Sequence, residues 1–291
     1  MALSERSDPA LAADWLSLCR RATNGVRAAL ADHPAPRDRA RTTGHGEGGD
    51  LALAIDRAAE DAVFAELEAL EAPLNAVSEE RGHVAIAGGG PAHVVVDPID
   101  GSLNAKRRIP FHCLSIAVAS GATMEEVEFG YIAELGSGAG IGREWWAEGG
   151  AGAHLDGERL AVSRRTDDSP SLEVLAVESA DPRIVAVTAE SLAATGAHRL
   201  RVLGSIALSL CLVAGGRADA MATLAPCRSV DAAAGQLIVR EAGGVAIFPD
   251  ARDADGRTPL DLSMRSRVMA AWRQQELDTL ARALGRPPER E

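Results

Sequence analysis

The run Val94-Val95-Val96-Asp97-Pro98-Ile99-Asp100-Gly101-Ser102 constrains this chain more than any other segment. Three consecutive β-branched apolar residues fit a strand buried on both faces, as in the interior of a sheet covered by helices. Within a few residues that strand gives way to two carboxylates and a glycine, at the carboxyl end where α/β proteins place ligands. Pro98 fixes φ, and Gly101, lacking a Cβ, lets backbone N–H groups approach an anion as a nest or helix N-terminus does. Hard oxygen ligands beside such a cradle suit Mg²⁺. Asp, Pro and Gly are also the ordinary turn formers, so the motif alone leaves a plain surface turn open.

Three further acidic segments stand with it. Val77-Ser78-Glu79-Glu80-Arg81-Gly82 places two acids after a short apolar stretch, and Ser229-Val230-Asp231-Ala232-Ala233-Ala234-Gly235 places one directly before small residues that allow close helix packing. Asp56 follows Leu51-Ala52-Leu53-Ala54-Ile55 and opens a helical pattern; a simple N-cap role fits it equally. These segments, from about Asp50 to Gly244, resemble the inositol monophosphatase family, the lithium-sensitive, Mg²⁺-dependent phosphomonoesterases that share a fold with fructose-1,6-bisphosphatase. The S-E-E, D-P-I-D-G-S and D-x-A-A-G elements stand in the family's order, and Glu241-Ala242-Gly243-Gly244 matches the E-A-G-G that follows. Phe111-His112-Cys113-Leu114-Ser115-Ile116-Ala117 and Leu203-Gly204-Ser205-Ile206-Ala207 are similar to two weaker family segments.

The resemblance implies an α/β (α+β) fold, a layered α-β-α-β-α sandwich of the sugar phosphatase type with the site in a cleft between two packed sub-domains. It implies that Glu79, Asp97 and the Ile99 carbonyl hold a first Mg²⁺, and that Asp97, Asp100 and Asp231 hold a second, with a third ion left open. Ser102 stands where the family usually has Thr; its hydroxyl and Asp56 would orient the attacking water, with Glu79 assisting. The Gly101 and Ser102 N–H groups would hold the phosphate. Arg201, Ser205 and Arg228 are candidates to face the rest of the substrate, although surface arginines are common. Paired divalent ions suit a phosphate monoester because they offset the charge that repels nucleophiles and lower the pKa of a bound water.

Two departures bear on the substrate. Animal-type members carry a Glu about seven residues before the last Asp, where this chain reads Thr223-Leu224-Ala225-Pro226-Cys227-Arg228. Ahead of Asp56, Gly44-His45-Gly46-Glu47-Gly48-Gly49-Asp50 replaces a Lys-containing loop and is closer to the archaeal and actinobacterial type. That loop is read as a mobile cover or as a flexible linker. Myo-inositol 1-phosphate is the leading expected substrate, with fructose 1,6-bisphosphate, histidinol phosphate and 3′-phosphoadenosine 5′-phosphate open. A non-catalytic phospholigand-binding protein is the rival of another class.

Composition narrows the partners. At 291 residues with 46% hydrophobic content, the chain can bury a sizeable core. A formal charge of −12 and the lack of a basic run with interleaved aromatics argue against a nucleic-acid surface. Cys19, Cys113, Cys211 and Cys227 show no C-x-x-C spacing, which points to reduced thiols and a cytoplasmic protein. No stretch reaches membrane-spanning length and no signal segment is read. The expected partner is a small phosphate ester, without nucleic acid or membrane; a homodimer is implied by the resemblance alone. H-E-x-x-H and G-x-S-x-G are absent, and Gly88-Gly89-Gly90-Pro91 is read as a hairpin turn.

Periodicity predicts helices at 9–31 and 56–71, strands at 75–78, 94–97, 114–119, 125–132 and 144–147, and then alternation. The second part reads strand 172–177, helix 181–195, strand 200–203, helix 205–214, strand 218–223 and helix 231–241, closing with a short helix at 277–285 and a frayed tail at 286–291. We expect a sub-domain at 1–165 carrying Glu79 and the D-P-I-D-G-S loop, and one at 166–291 carrying Asp231, with the boundary near 163–171. Adjacent Trp145 and Trp146 on a strand would face opposite sides.

Overall fold

The computed structural model describes residues 8–39, 42–45, 51–136, 142–160, 172–251 and 256–285, with 42–45 and 51–53 as backbone only. The boundary at 163–171, the loop at 46–50 with Glu47, the His45 side chain and the tail at 286–291 lie outside the described residues.

Helix α1 (Trp15–Asp32) starts where the Asp14 side chain accepts the Ser17 N–H, and it buries Trp15, Leu18, Val26 and Leu30 along one stripe. A single turn, α2 (Pro36–Arg39), leads to the antiparallel pair β1 (Thr42–His45) and β2 (Leu51–Leu53), and β2 runs directly into α3 (Ala54–Glu68). Asp56 therefore lies inside the first helical turn rather than at an N-cap, because the strand leaves no room for a capping residue between Leu53 and Ala54.

The large sheet contains β3 (Leu74–Ser78), β4 (Gly82–Ile86) and β5 (His93–Asp100), then, after α4 (Ser102–Arg107), β6 (Cys113–Ala119), β7 (Val127–Glu134), β8 (Glu144–Glu148), β9 (Gly152–Leu155) and β10 (Glu158–Leu160). Their spatial order is β10-β9-β8-β7-β6-β5-β3-β4. β3 and β4 form a hairpin whose turn is Glu79-Glu80-Arg81, and β5 lies on the other side of β3, parallel to it. Gly88–Pro91 is therefore not a hairpin turn but the return from the edge strand β4 past the end of β3, since β4 and β5 are not neighbours.

The second sheet follows as β11 (Val174–Glu178), α5 (Pro182–Val187), α6 (Ala189–Ala194), β12 (Arg199–Arg201), α7 (Ile206–Ala214), β13 (Ala220–Thr223), α8 (Ser229–Glu241), β14 (Val245–Ile247), β15 (Met269–Ala271) and α9 (Gln274–Leu284). Its order is β12-β11-β13-β15-β14, parallel over the first three strands and antiparallel beyond. The helix expected over 181–195 is two helices broken at Thr188, whose hydroxyl donates back to the Ile184 carbonyl at 2.7 Å, a bond that competes with helix continuation.

Strand alternation explains the layers. Val94 and Val96 enter the core under α1 and α3, whereas Val95 faces the opposite core with α7 and α8. On β13, Met221 joins that same central core, while Ala220 and Ala222 face the outer core with α6 and α9. The result is helices, eight-stranded sheet, helices, five-stranded sheet, helices: the layered sandwich. α8 reaches the large sheet although it belongs to the second half of the chain, and small residues make this possible. A Cβ at Gly130 of β7 would stand 2.8 Å from the Ala234 carbonyl oxygen, so α8 lies closer to the large sheet than a side chain there would allow, and Gly235 does the same toward α7, where a Cβ would stand 2.6 Å from Leu210 Cδ1. Trp145 is buried in the central core and Trp146 is half-buried on the other face, stacked on His154 with ring centroids 3.9 Å apart.

Candidate active site

The parallel pairing of β3 with β5 sets the first two acids side by side. Ser78 pairs with Val96, so the chain leaves both strands together, into Glu79 on one and Asp97 on the other. Asp97 does not lie in a loop beyond the strand: β5 continues to Asp100 through a register shift against β6 between Asp97 and Asp100. The bulge places Pro98 where no ladder N–H is needed. Asp97 Oδ1 accepts the Ile99 N–H at 3.0 Å, and the Ser102 hydroxyl donates to the Ile99 carbonyl at 2.9 Å, so the motif's own side chains hold the turn.

Gly101 has φ +91°, and a Cβ there would stand 2.9 Å from the Gly204 carbonyl oxygen and 3.2 Å from that of Phe111. Glycine is required both by its conformation and by the approach of the second half of the molecule. Asn104 ties this junction, donating through Nδ2 to the Phe111 carbonyl at 2.9 Å and the Leu203 carbonyl at 2.7 Å.

Asp100 is buried, and its Oδ2 accepts the Ser205 hydroxyl at 2.6 Å and the Ala207 N–H at 2.7 Å. Ser205, read from the sequence as facing a substrate, is 1% exposed and also accepts the Leu208 N–H as the N-cap of α7. It positions Asp100 instead, because the close packing of Gly101 on Gly204 turns it inward. Asp231 sits in the first turn of α8, where its Oδ2 accepts the Arg228 N–H at 2.7 Å. Arg228 reaches across to Glu79, Nη2 to Oε1 at 2.7 Å, so its guanidinium pairs with a site carboxylate rather than pointing to a substrate. Arg201 is exposed on β12 and donates to the Leu200 carbonyl, apart from these acids.

The carboxylates act on one another. Burial, then repulsion from Asp231 and Asp56, outweighs Arg228 and pushes Glu79 up to about 8. Burial, then Asp231, pushes Asp100 up to about 7 against its two hydrogen bonds. Asp97 is driven well above the usual carboxylate range by burial and by Asp100, Glu79 and Asp231. Such a set, all hard oxygen and mutually repelling, is the donor chemistry that a divalent cation satisfies. With Arg228 on Glu79, no three His, Cys, Asp or Glu side chains converge on one point among the described residues.

Several contributors escaped the sequence reading. Glu60, one turn after Asp56 on α3, is fully buried and accepts the Glu80 and Arg81 N–H groups at 3.3 Å each, fixing the hairpin turn that carries Glu79. Burial, with repulsion from Asp56 and Glu60, raises Glu80 to about 7. Glu178, at the end of β11, accepts the Leu203 and Gly204 N–H groups and the Ser209 hydroxyl, steadying the segment before Ser205. The i, i+4 spacing of Asp56 and Glu60 was a usable signal; nothing local marked Glu178. Thr223, in the segment lacking the family's acid, is buried and accepts the Val268 N–H at 3.0 Å.

The sequence profile described as the inositol monophosphatase family matches residues 15–286. A fructose-1,6-bisphosphatase/inositol-1-monophosphatase of Methanothermobacter thermautotrophicus is 32% identical over 268 residues, covering 88% of this chain and 91% of that protein. Inositol monophosphatase 2 of Rattus norvegicus is 34% identical over 242 residues, covering 81% and 78%. A crystal structure titled as an inositol monophosphatase-fructose 1,6 bisphosphatase superposes with a TM-score of 0.77 at 25% identity, covering 94% of this chain and 100% of that one. The layered fold and the family profile together define a metal-dependent phosphatase type of protein. This chain belongs to the inositol monophosphatase family. Its members are metal-dependent phosphatases, generally using Mg²⁺, that hydrolyse phosphate monoesters.

Proposed function

We propose that this chain hydrolyses a small sugar or cyclitol phosphate, with myo-inositol 1-phosphate first, using two Mg²⁺ ions. The observation that carries the reading is the mutual repulsion of four buried or half-buried acids from three elements, Glu79 on the β3–β4 turn, Asp97 and Asp100 on the β5 bulge and Asp231 on α8, each held by its own hydrogen bonds. Glu79, Asp97, Asp100, Asp231 and the Ile99 carbonyl would hold the ions. When bound, Mg²⁺ neutralises phosphate charge and lowers the pKa of a bound water. Asp56 and the Ser102 hydroxyl would orient an attacking water by accepting its hydrogen bonds, while the Gly101 and Ser102 N–H groups would receive the phosphate; positioning and charge stabilisation would carry the rest. Ser102 already holds its hydroxyl on the Ile99 carbonyl, within this turn. The Glu79 carboxylate that Arg228 now pairs with would be the group offered to a divalent cation.

The exposed Leu103, Ile109, Leu200 and Val202, around the junction of α4 and β12, support a homodimer, since scattered monomer surfaces seldom group large apolar residues. Among the described residues no helix is long and apolar enough to cross a membrane. A cytoplasmic setting is supported by four buried free cysteines. The buried Thr223 segment in place of the animal-type members' acid, together with archaeal relatives that are fructose-1,6-bisphosphatase/inositol-1-monophosphatases, favours fructose 1,6-bisphosphate as the second reading. Phosphate release from myo-inositol 1-phosphate, fructose 1,6-bisphosphate, histidinol phosphate and 3′-phosphoadenosine 5′-phosphate, with and without Mg²⁺, tests the assignment. The first is expected to show the highest kcat/KM; a higher value for another displaces it.

A further inference from the structure

A cavity of about 390 Å³ opens beside the site but is lined by none of its acids. Its walls carry Arg27 from α1, Arg39 from α2 and Arg108 from the end of α4, with Glu134 and His112. Three guanidinium groups on one small cavity are unexpected in a chain of formal charge −12.

Among the described residues their partners leave the charge uncompensated. Arg39 donates to the carbonyls of His33, Ala105 and Leu30, all neutral, and Arg27 donates to the Glu134 carbonyl at 2.8 Å. Arg108 makes no side-chain hydrogen bond to a described residue, and the Glu134 carboxylate is taken by the Arg143 N–H at 3.2 Å. Among the described residues no carboxylate forms an ion pair with any of the three. Burial, and then repulsion from Arg108, holds the Arg39 guanidinium below its usual pKa, a cost that an anion between them removes.

From this geometry we infer that the cavity is a binding site for a small phosphorylated metabolite, separate from the catalytic acids. Guanidinium forks match phosphate oxygens in geometry and charge, and three converging from separate elements give a polyanion more contacts than a single carboxylate can use. The volume suits a small metabolite and excludes a polymer. The cavity also abuts the phosphate turn: its Arg108 ends the helix that Gly101 begins, and His112 lies against Gly101.

Isothermal titration of the full-length protein with pyrophosphate, in buffer containing a chelator, tests the inference. Without Mg²⁺ the catalytic carboxylates repel an anion, so binding there does not contribute. One saturable site is expected, weakened at least ~10-fold by Arg108→Gln and by Arg27→Gln, and unchanged by Arg107→Gln, an exposed neighbour that does not line the cavity. Arg108 is exposed and its side chain holds no bond to a described residue, so its variant keeps the test readable even where the Arg27 variant loses stability. Absence of saturable binding, survival of binding in both lining variants, or equal weakening by Arg107→Gln overturns the inference.

Discussion

Replacing Ser205 by alanine isolates the device that holds Asp100. The hydroxyl makes a 2.6 Å bond to the Asp100 carboxylate and accepts the Leu208 N–H at 3.2 Å, at a position 1% exposed where water cannot substitute. A hydrogen bond to a charged group contributes about 1.5–3 kcal/mol and an N-cap about 1 kcal/mol, so the loss at pH 8 should be ~2–4 kcal/mol. At about 2–4 °C per kcal/mol for a chain of this size, Tm should fall by about 4–16 °C. Asp100 titrates near 7, so at pH 5 its carboxyl is neutral, the bond weakens to the neutral class, and the deficit should shrink by about half. Thermal unfolding of wild type, Ser205→Ala and Ser205→Thr at pH 5 and 8, without metal, reads this directly. Ser205→Thr keeps the hydroxyl and should recover most of the loss. A Ser205→Ala protein within about 1 °C of wild type at pH 8, or one more destabilised at pH 5 than at pH 8, refutes the argument.

Metal-free protein should lose stability as pH rises. The folded pKa values of Glu79 and Asp100, about 8 and about 7, lie above their ordinary 4.5 and 3.8, so the folded state holds protons more tightly than the unfolded chain. The stabilisation is complete below about pH 4 and is lost up to about pH 8, and saturating Mg²⁺ should flatten the slope. A metal-free Tm that stays level or rises from pH 5 to 8, once global charge is matched by salt, contradicts it. Gly101→Ala should cost ~2–4 kcal/mol, from left-handed backbone and the 2.9 Å clash with the Gly204 carbonyl, and should depress turnover more than Tm. Wild-type kcat in that variant would show the turn tolerates displacement. Ser102→Ala should leave Mg²⁺ affinity nearly unchanged while lowering kcat; equal rates would remove the hydroxyl from the chemistry.

Most of the strands and helices were legible because they rest on local signals, whereas their layering came from the family resemblance. Val94 to Val96 announced an interior strand, and the alternation after residue 172 announced crossover helices. The acids Glu79, Asp97, Asp100 and Asp231 were legible as motifs, but their placement near one another depends on β3 lying parallel to β5 and on Gly130 admitting α8, neither of which is written in any one segment. Two misreadings share one cause. Gly88–Pro91 has the composition of a hairpin turn, yet strand order makes it a return past β3, and Ser205 has the motif of a substrate contact, yet packing turns it onto Asp100. Composition reports what a segment can do; long-range neighbours decide which of those it does. Glu60 and Glu178 escaped for the same reason, since a buried carboxylate looks like a surface one until the N–H groups it accepts are in place.

The central claim is that Asp231 on α8 joins the acids of β5 and the β3–β4 turn in one Mg²⁺-dependent phosphatase site. Phosphate release from myo-inositol 1-phosphate by wild type and Asp231→Asn across a Mg²⁺ titration tests it most directly, with Tm measured on both. We predict Mg²⁺-dependent release by wild type and a fall on the order of 100-fold or more in the variant at nearly unchanged Tm, since asparagine still accepts the Arg228 N–H. Near-wild-type turnover by Asp231→Asn, or release by wild type that is indifferent to Mg²⁺, would contradict it.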